Sequence, residues 1–131
     1  MSRLLDTNVC VAFMNGTDPA VRDKLLSLSP GEVRLCSVVK AELLYGARKS
    51  KRVTDNLMRL TQFFATFDSL PFDDLAAEHY GTLRAQLEAA GTPIGANDMM
   101  IAATALASDS TLVTRNQSEF LRVTGLSVET W

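Results

Sequence analysis

The sequence predicts a three-layer α/β protein, with a parallel sheet of about five short strands enclosed between helices. Three observations lead there. Short apolar runs alternate with longer stretches of helical period, in the order β-α-α-β-α-α-β-α-α-β-α-β. Strands separated by helices favour parallel pairing, because the chain must cross back over the sheet between them. The 131 residues, 47% of them hydrophobic, suit one domain spanning residues 1–131. A chain of this size buries roughly two thirds of its unfolded surface, so its core needs no disulfide or structural metal.

The elements follow in order. Arg3-Leu4-Leu5 is a short strand, and Val9 to Met14 is a helix stopped near Gly16, so Asp6 lies at a strand-to-helix junction. Asp18 and Pro19 supply a cap and a first-turn proline for a helix carrying Val21, Leu25 and Leu28, which Ser29-Pro30-Gly31 ends. Val33 to Cys36 reads as the second strand. From Ser37 the period is helical, with Val39, Leu43 and Gly46 on one stripe and Val38, Glu42 and Tyr45 on its neighbour. Val53, Leu57, Leu60, Phe64 and Phe67 recur at helical spacing on a core-packing helix. Ser69 to Phe72 suits a short strand, and Asp73-Asp74 caps a long helix ending at Gly91. Thr92 to Ala96 is a loop. Asn97-Asp98 opens the most apolar helix, Met99 to Ala107, whose lack of a polar face implies burial on several sides. Thr111 to Thr114 is the fourth strand, Arg115 to Leu121 a loop and short helix, and Leu126 to Val128 the last strand.

Composition excludes several classes. Thirteen Lys and Arg against 15 Asp and Glu give a net charge of −2, too balanced for a polycationic nucleic-acid wrapper or a disordered acidic tail. No apolar run approaches the ~20 residues of a membrane span, and Met1 to Arg3 leads into Leu4-Leu5-Asp6 and not into a signal-peptide core, so a cytoplasmic location is expected. Cys10 and Cys36, each among apolar neighbours, read as buried thiols. Nucleophile elbows, phosphate-cradling glycine loops and paired-cysteine zinc spacing are missing.

Ligands of open parallel sheets collect at the C-terminal strand ends, where Asp6 and Thr114-Arg115-Asn116 lie. Glu42, about one and a half turns into its helix, and Asp98, in the first turn of the buried helix, can approach the same edge. Carboxylates gathered against apolar surface repel one another, and a hard divalent cation with oxygen ligands relieves that repulsion. Each acid also has a structural reading: Asp6 and Asp98 as helix N-caps, Glu42 as a partner of Lys40 or Arg84 in a buried ion pair.

The motifs become specific when taken together. Leu4-Leu5-Asp6-Thr7-Asn8, Ala41-Glu42-Leu43-Leu44-Tyr45-Gly46-Ala47, Gly91 to Asp98 with Ile101-Ala102-Ala103, and Thr114-Arg115-Asn116 with Glu119-Phe120 resemble the PIN-domain ribonucleases, and more narrowly the VapC toxins of bacterial VapBC toxin–antitoxin systems. The resemblance runs from Leu4 to Trp131. It implies strand order 3-2-1-4-5, a Mg²⁺ or Mn²⁺ site and endonucleolytic cleavage of single-stranded regions of a structured RNA such as tRNA. It further implies a VapB antitoxin covering the site, a homodimer, and a larger assembly with operator DNA, without membrane attachment.

Carried over by resemblance, Asp6 and Asp98 match acids that bind metal directly, and Glu42 matches one that binds it directly or through water. The fourth family acid is replaced by Asn116, with Glu119 three residues on. Either the Asn116 amide holds a metal-bound water, or Glu119 restores the fourth carboxylate, or a second metal binds weakly. Thr7, Asn8 and Thr114 are hydrogen-bond donors behind the ligands or ordinary caps. Arg84 touches substrate or pairs with an acid. Arg48-Lys49-Ser50-Lys51-Arg52 is a phosphate-backbone contact or a solvated face. His79 is assigned to packing. The competing reading is a catalytically weak PIN module acting mainly as a binding partner in a toxin–antitoxin repressor complex, for which Asn116 is the hint. An aspartyl phosphotransfer enzyme would need a second acid where Asn8 stands.

Overall fold

The structure, a computed structural model, describes residues 2–131. Its elements are β1 (Arg3–Leu5), α1 (Thr7–Asn15), α2 (Pro19–Ser27), a 3-10 turn (Pro30–Glu32), β2 (Val33–Cys36), α3 (Ser37–Arg48), α4 (Val53–Thr66), β3 (Asp68–Leu70), α5 (Asp74–Ala89), α6 (Ala96–Ala107), β4 (Thr111–Val113), α7 (Gln117–Phe120) and β5 (Val128–Glu129). The strands form one parallel sheet in the order β3-β2-β1-β4-β5, the order implied by the family resemblance. Helical period and breaker placement locate the elements in sequence, whereas the strand order arises from pairings between distant segments.

Burial of successive strand residues defines the layers. Neighbouring side chains in a strand point to opposite faces. Leu4 and Leu5 in β1, Leu35 and Cys36 in β2, and Leu112 and Val113 in β4 are all fully enclosed. Both faces of the central sheet are therefore covered, as a sheet made by helical crossovers requires. Ile101, Ala102, Ala103 and Ala105 of α6 are almost completely buried, matching the expectation for the most apolar helix. Helix α5 packs along α6 through Leu83 and Leu87. Cys10 and Cys36 are buried free thiols.

Local chemistry sets the boundaries. The Asp18 carboxylate accepts from the Ala20 and Val21 amides ahead of Pro19, and Asp73 accepts from the Ala76 amide at the start of α5. Helix α1 stops where Gly16 turns left-handed at φ 63° and its amide returns to Phe13 O. Strand β3 ends at Leu70, before Phe72, because Pro71 has no amide hydrogen to continue the ladder. The last strand begins at Val128, two residues later than the apolar pattern suggests. Gly125 at φ 83° and the Leu126 amide bonding to Val123 O hold the preceding residues in a turn, and pairing resumes where Leu112 N donates to Ser127 O.

Candidate active site

The site grows from the C-terminal ends of β1 and β4, which pair in register from Arg3↔Thr111 to Leu5↔Val113. The Asp6 amide continues this ladder by donating to Val113 O at 3.0 Å. Asp6 is the N-cap of α1 and is also 4% exposed, so both structural and chemical demands meet on one side chain. Its Oδ1 accepts from the Val9 amide at 2.9 Å, and its Oδ2 accepts from Thr114 Oγ1 at 2.5 Å. Thr114 Oγ1 in turn accepts from the Asn116 amide at 2.9 Å. That incoming bond orients the hydroxyl so that its proton points at Asp6, and the carboxylate is held from both sides. Burial pushes the Asp6 carboxyl above its ordinary range, the Thr114 and Val9 bonds pull it partly back, and the Glu42 charge raises it further.

Three other acids complete the group. Half-buried Glu42 on α3 accepts from Thr7 Oγ1 at 2.6 Å through Oε1. This bond replaces the ion-pair alternative: Lys40 lies instead over the Phe64 ring at 4.9 Å. Asp98 stands in the first turn of α6, but the cap position belongs to Gly95, so Asp98 is not the cap. Its carboxyl is raised from 3.8 to about 6 by burial first, then by the charge and hydrogen bond of Glu119 and by the charges of Glu42 and Asp6. The hydrogen bond with Glu119 favours the protonated form of Asp98, which is why it adds to the rise. Glu119 lies on the short α7, whose N-cap position, Asn116, is three residues past the end of β4.

The fold accordingly brings Asp6, Glu42, Asp98 and Glu119 into one electrostatic neighbourhood, with Thr7 and Thr114 as hydroxyl donors behind the first two. Asn116 contributes its amide hydrogen to Thr114. Asn8 is exposed on the first turn of α1. Arg84 does not join: its guanidinium donates to Glu88 at 3.0 Å and to Tyr80 Oη at 2.8 Å on its own helix. Spacing put Arg84 near the Gly91 loop, but salt-bridging one turn along α5 satisfies it locally. Sequence reasoning missed Arg115 as an electrostatic neighbour of Asp6. Arg115 eases the acid's ionisation and makes an ion pair with Asp18. Its place directly after Thr114 was the available signal.

The donor set is all oxygen and anionic, which fits a hard divalent cation in preference to zinc or a redox metal. The high proton affinity of Asp98 points the same way, since acids that resist ionising together gain most from a cation. Among the described residues no three metal-binding side chains are already drawn into a ligand grouping. A parallel sheet carrying four acids beyond its strand ends places the chain among acid-lined α/β domains, a class that includes phosphodiester-cutting nucleases.

Relatives agree with that class. Residues 3–126 match the PIN domain family. The tRNA(fMet)-specific endonuclease VapC of Shigella flexneri is 39% identical over 128 residues, which span 98% of this chain and 96% of that protein. Ribonuclease VapC2 of Rickettsia felis is 38% identical over 132 residues, spanning 100% of this chain and 98% of its own length. Among solved structures, VapBC2 from Rickettsia felis bound to a DNA fragment from its promoter aligns with a TM-score of 0.93 at 37% identity, covering 100% of this chain and 99% of that one. DNA-bound VapBC from Salmonella typhimurium aligns with a TM-score of 0.94 at 34% identity, over 100% of this chain and 98% of that one. The chain belongs to the VapC ribonucleases of the PIN-domain family.

Proposed function

We propose that this VapC-family ribonuclease is a Mg²⁺- or Mn²⁺-dependent endoribonuclease toxin that cuts a single-stranded part of tRNA and so stops translation. The observation carrying this reading is the convergence of Asp6, Glu42, Asp98 and Glu119, whose mutual repulsion helps hold Asp98 at about 6. Asp6, Asp98 and Glu42 would hold the cation. When bound, such a cation lowers the pKa of water and neutralises charge on the phosphoryl group. The chain's own contribution is positional. Thr114 and the Val9 amide fix both oxygens of Asp6, and Thr7 fixes one oxygen of Glu42. Because burial and the neighbouring acids raise the proton affinity of Asp98, loading the site would displace protons from it and strengthen as pH rises. No side chain is required as a covalent nucleophile.

The tRNA assignment is supported by the Shigella flexneri relative, whose name specifies tRNA(fMet). A VapB-type antitoxin and promoter DNA as assembly partners are supported by the VapBC complexes to which the chain is similar, and a homodimer is part of the same proposal. The cytoplasm is the compartment where such a substrate is met, and no helix among the described residues is long and apolar enough to cross a membrane. The competing reading of a weak binding module rests on Asn116; the electrostatic approach of Glu119 to Asp98 supports Glu119 as the fourth carboxylate in its place.

The test is cleavage of purified tRNA by antitoxin-free protein in Mg²⁺ or Mn²⁺, against excess chelator and beside Asp6→Asn. Discrete fragments that need both the ion and Asp6 are expected. Intact tRNA with folded native protein would favour the binding-module reading.

A further inference from the structure

Val38, Glu42 and Tyr45 of α3 and Lys49 at its C-terminal cap recur at spacings of four, three and four and so share one face. The first is buried in the core and the second belongs to the acid group. The other two reach outward. Tyr45 is 66% exposed. The Lys49 ammonium sits 4.9 Å from the centroid of that ring. Both residues line a groove of about 500 Å³ together with Thr7, Glu42, Gly46 and Asn97. The groove therefore opens directly from the acid that Thr7 holds and from the residue preceding Asp98. Gly46 contributes no side chain, which leaves the floor between ring and acid free.

We propose that Tyr45 and Lys49 form a nucleotide subsite for single-stranded RNA beside the scissile phosphate, Tyr45 stacking on a base and Lys49 meeting a neighbouring phosphate. This rests on the ribonuclease reading above and deepens it by naming two substrate-positioning residues. An exposed ring suits any base, since every base has a π-face, and a cation one turn away suits the backbone that joins bases. Charge complementarity selects this occupant. The protein as a whole carries −2, and the acid group repels phosphate, yet exposed Arg48, Lys49, Lys51 and Arg52 gather at the Tyr45 end of α3. Of these, Arg52 leans towards Asp55 at 3.8 Å. The exposed cations place a locally positive border next to a negative centre, so a strand entering from this end gains attraction before it reaches the acids.

The test measures binding of a short single-stranded oligoribonucleotide containing 2-aminopurine, on an Asp98→Asn background to prevent turnover, and cleavage kinetics of the same RNA with Asp98 intact. Tyr45→Ala should weaken binding about tenfold and raise KM by a similar factor with kcat little changed. Tyr45→Trp should restore both and quench the 2-aminopurine emission more strongly than the native ring. Lys49→Gln should lower the slope of log affinity against log salt by about 0.7, the value for one phosphate contact on a single strand. Native-like binding and KM in Tyr45→Ala, with altered oligomer mass or antitoxin affinity instead, would overturn the proposal and make this face a protein interface. A native protein that neither binds nor cuts RNA would overturn the ribonuclease reading together with this one.

Discussion

Replacing Asp98 with asparagine isolates the charge of one acid from its shape. The amide can still donate to Glu119, so the principal loss is the ionisation that the surroundings oppose. Burial, Glu119, Glu42 and Asp6 raise the native carboxyl from 3.8 to about 6. That interval corresponds to about 3 kcal/mol at ~1.4 kcal/mol per tenfold change in proton affinity. Asp98 is only partly buried, and solvent screening reduces the usable figure to about 1–2 kcal/mol. The sign follows from proton linkage. A carboxyl that binds its proton more tightly when folded favours folding below the unfolded value of 3.8, and that advantage disappears as pH rises through about 6. The substituted amide does not titrate. In metal-free buffer the variant should therefore be more stable than the native protein by about 1–2 kcal/mol above ~pH 6.5, with the gap closing towards ~pH 4. Urea unfolding followed by circular dichroism at several pH values in chelator measures the gap directly. Added Mg²⁺ should stabilise the native protein and not the variant, reversing the order, while cleavage is lost in the variant. A gap that is absent or independent of pH would refute the reasoning, because Asp98 would then be serving as an ordinary structural hydrogen bonder.

Three further substitutions probe the surrounding groups. Thr114→Val preserves shape but leaves the Asn116 amide and Asp6 Oδ2 without their shared hydroxyl. It should cost about 1–3 kcal/mol in urea unfolding and lower cleavage more than a surface change does. Glu119→Gln removes the charge next in importance to burial for Asp98, so the Asp98 carboxyl, followed by ¹³C NMR titration, should move down from about 6 towards its ordinary value. An unmoved titration would mean that Glu119 does not couple to Asp98. Arg84→Ala should leave cleavage unchanged, since its guanidinium is committed to Glu88 and Tyr80. A fall of about tenfold in kcat/KM, equivalent to ~1.4 kcal/mol of transition-state binding, would return Arg84 to the substrate path.

Much of the architecture was legible because it is encoded over one or two turns. The four-and-three spacing of Val53 to Phe67 marks the buried stripe of α4, and Asp18-Pro19 and Asp73 mark helix starts through side chains that bond amides two or three residues on. The acids Asp6, Glu42 and Asp98 were legible through motif resemblance, while their spacing was equally compatible with caps and an ion pair. Strand order 3-2-1-4-5 came from the same resemblance. Periodicity carries no information about which strand lies beside which.

What the amino-acid sequence by itself determined was the succession of strands and helices, the apolar faces they bury, the buried state of both thiols and the chemical type of the candidate residues. These depend on side-chain chemistry and on neighbours within a few positions. Tertiary structure alone decided that Thr114 clamps Asp6 across 108 residues and that Thr7 holds Glu42 across 35. It likewise placed Glu119 against Asp98 and turned Arg84 away towards Glu88. Each of these outcomes depends on where distant segments meet once the sheet has closed. Proton affinity follows from the same meeting, because burial and neighbouring charge exist only after the chain has packed.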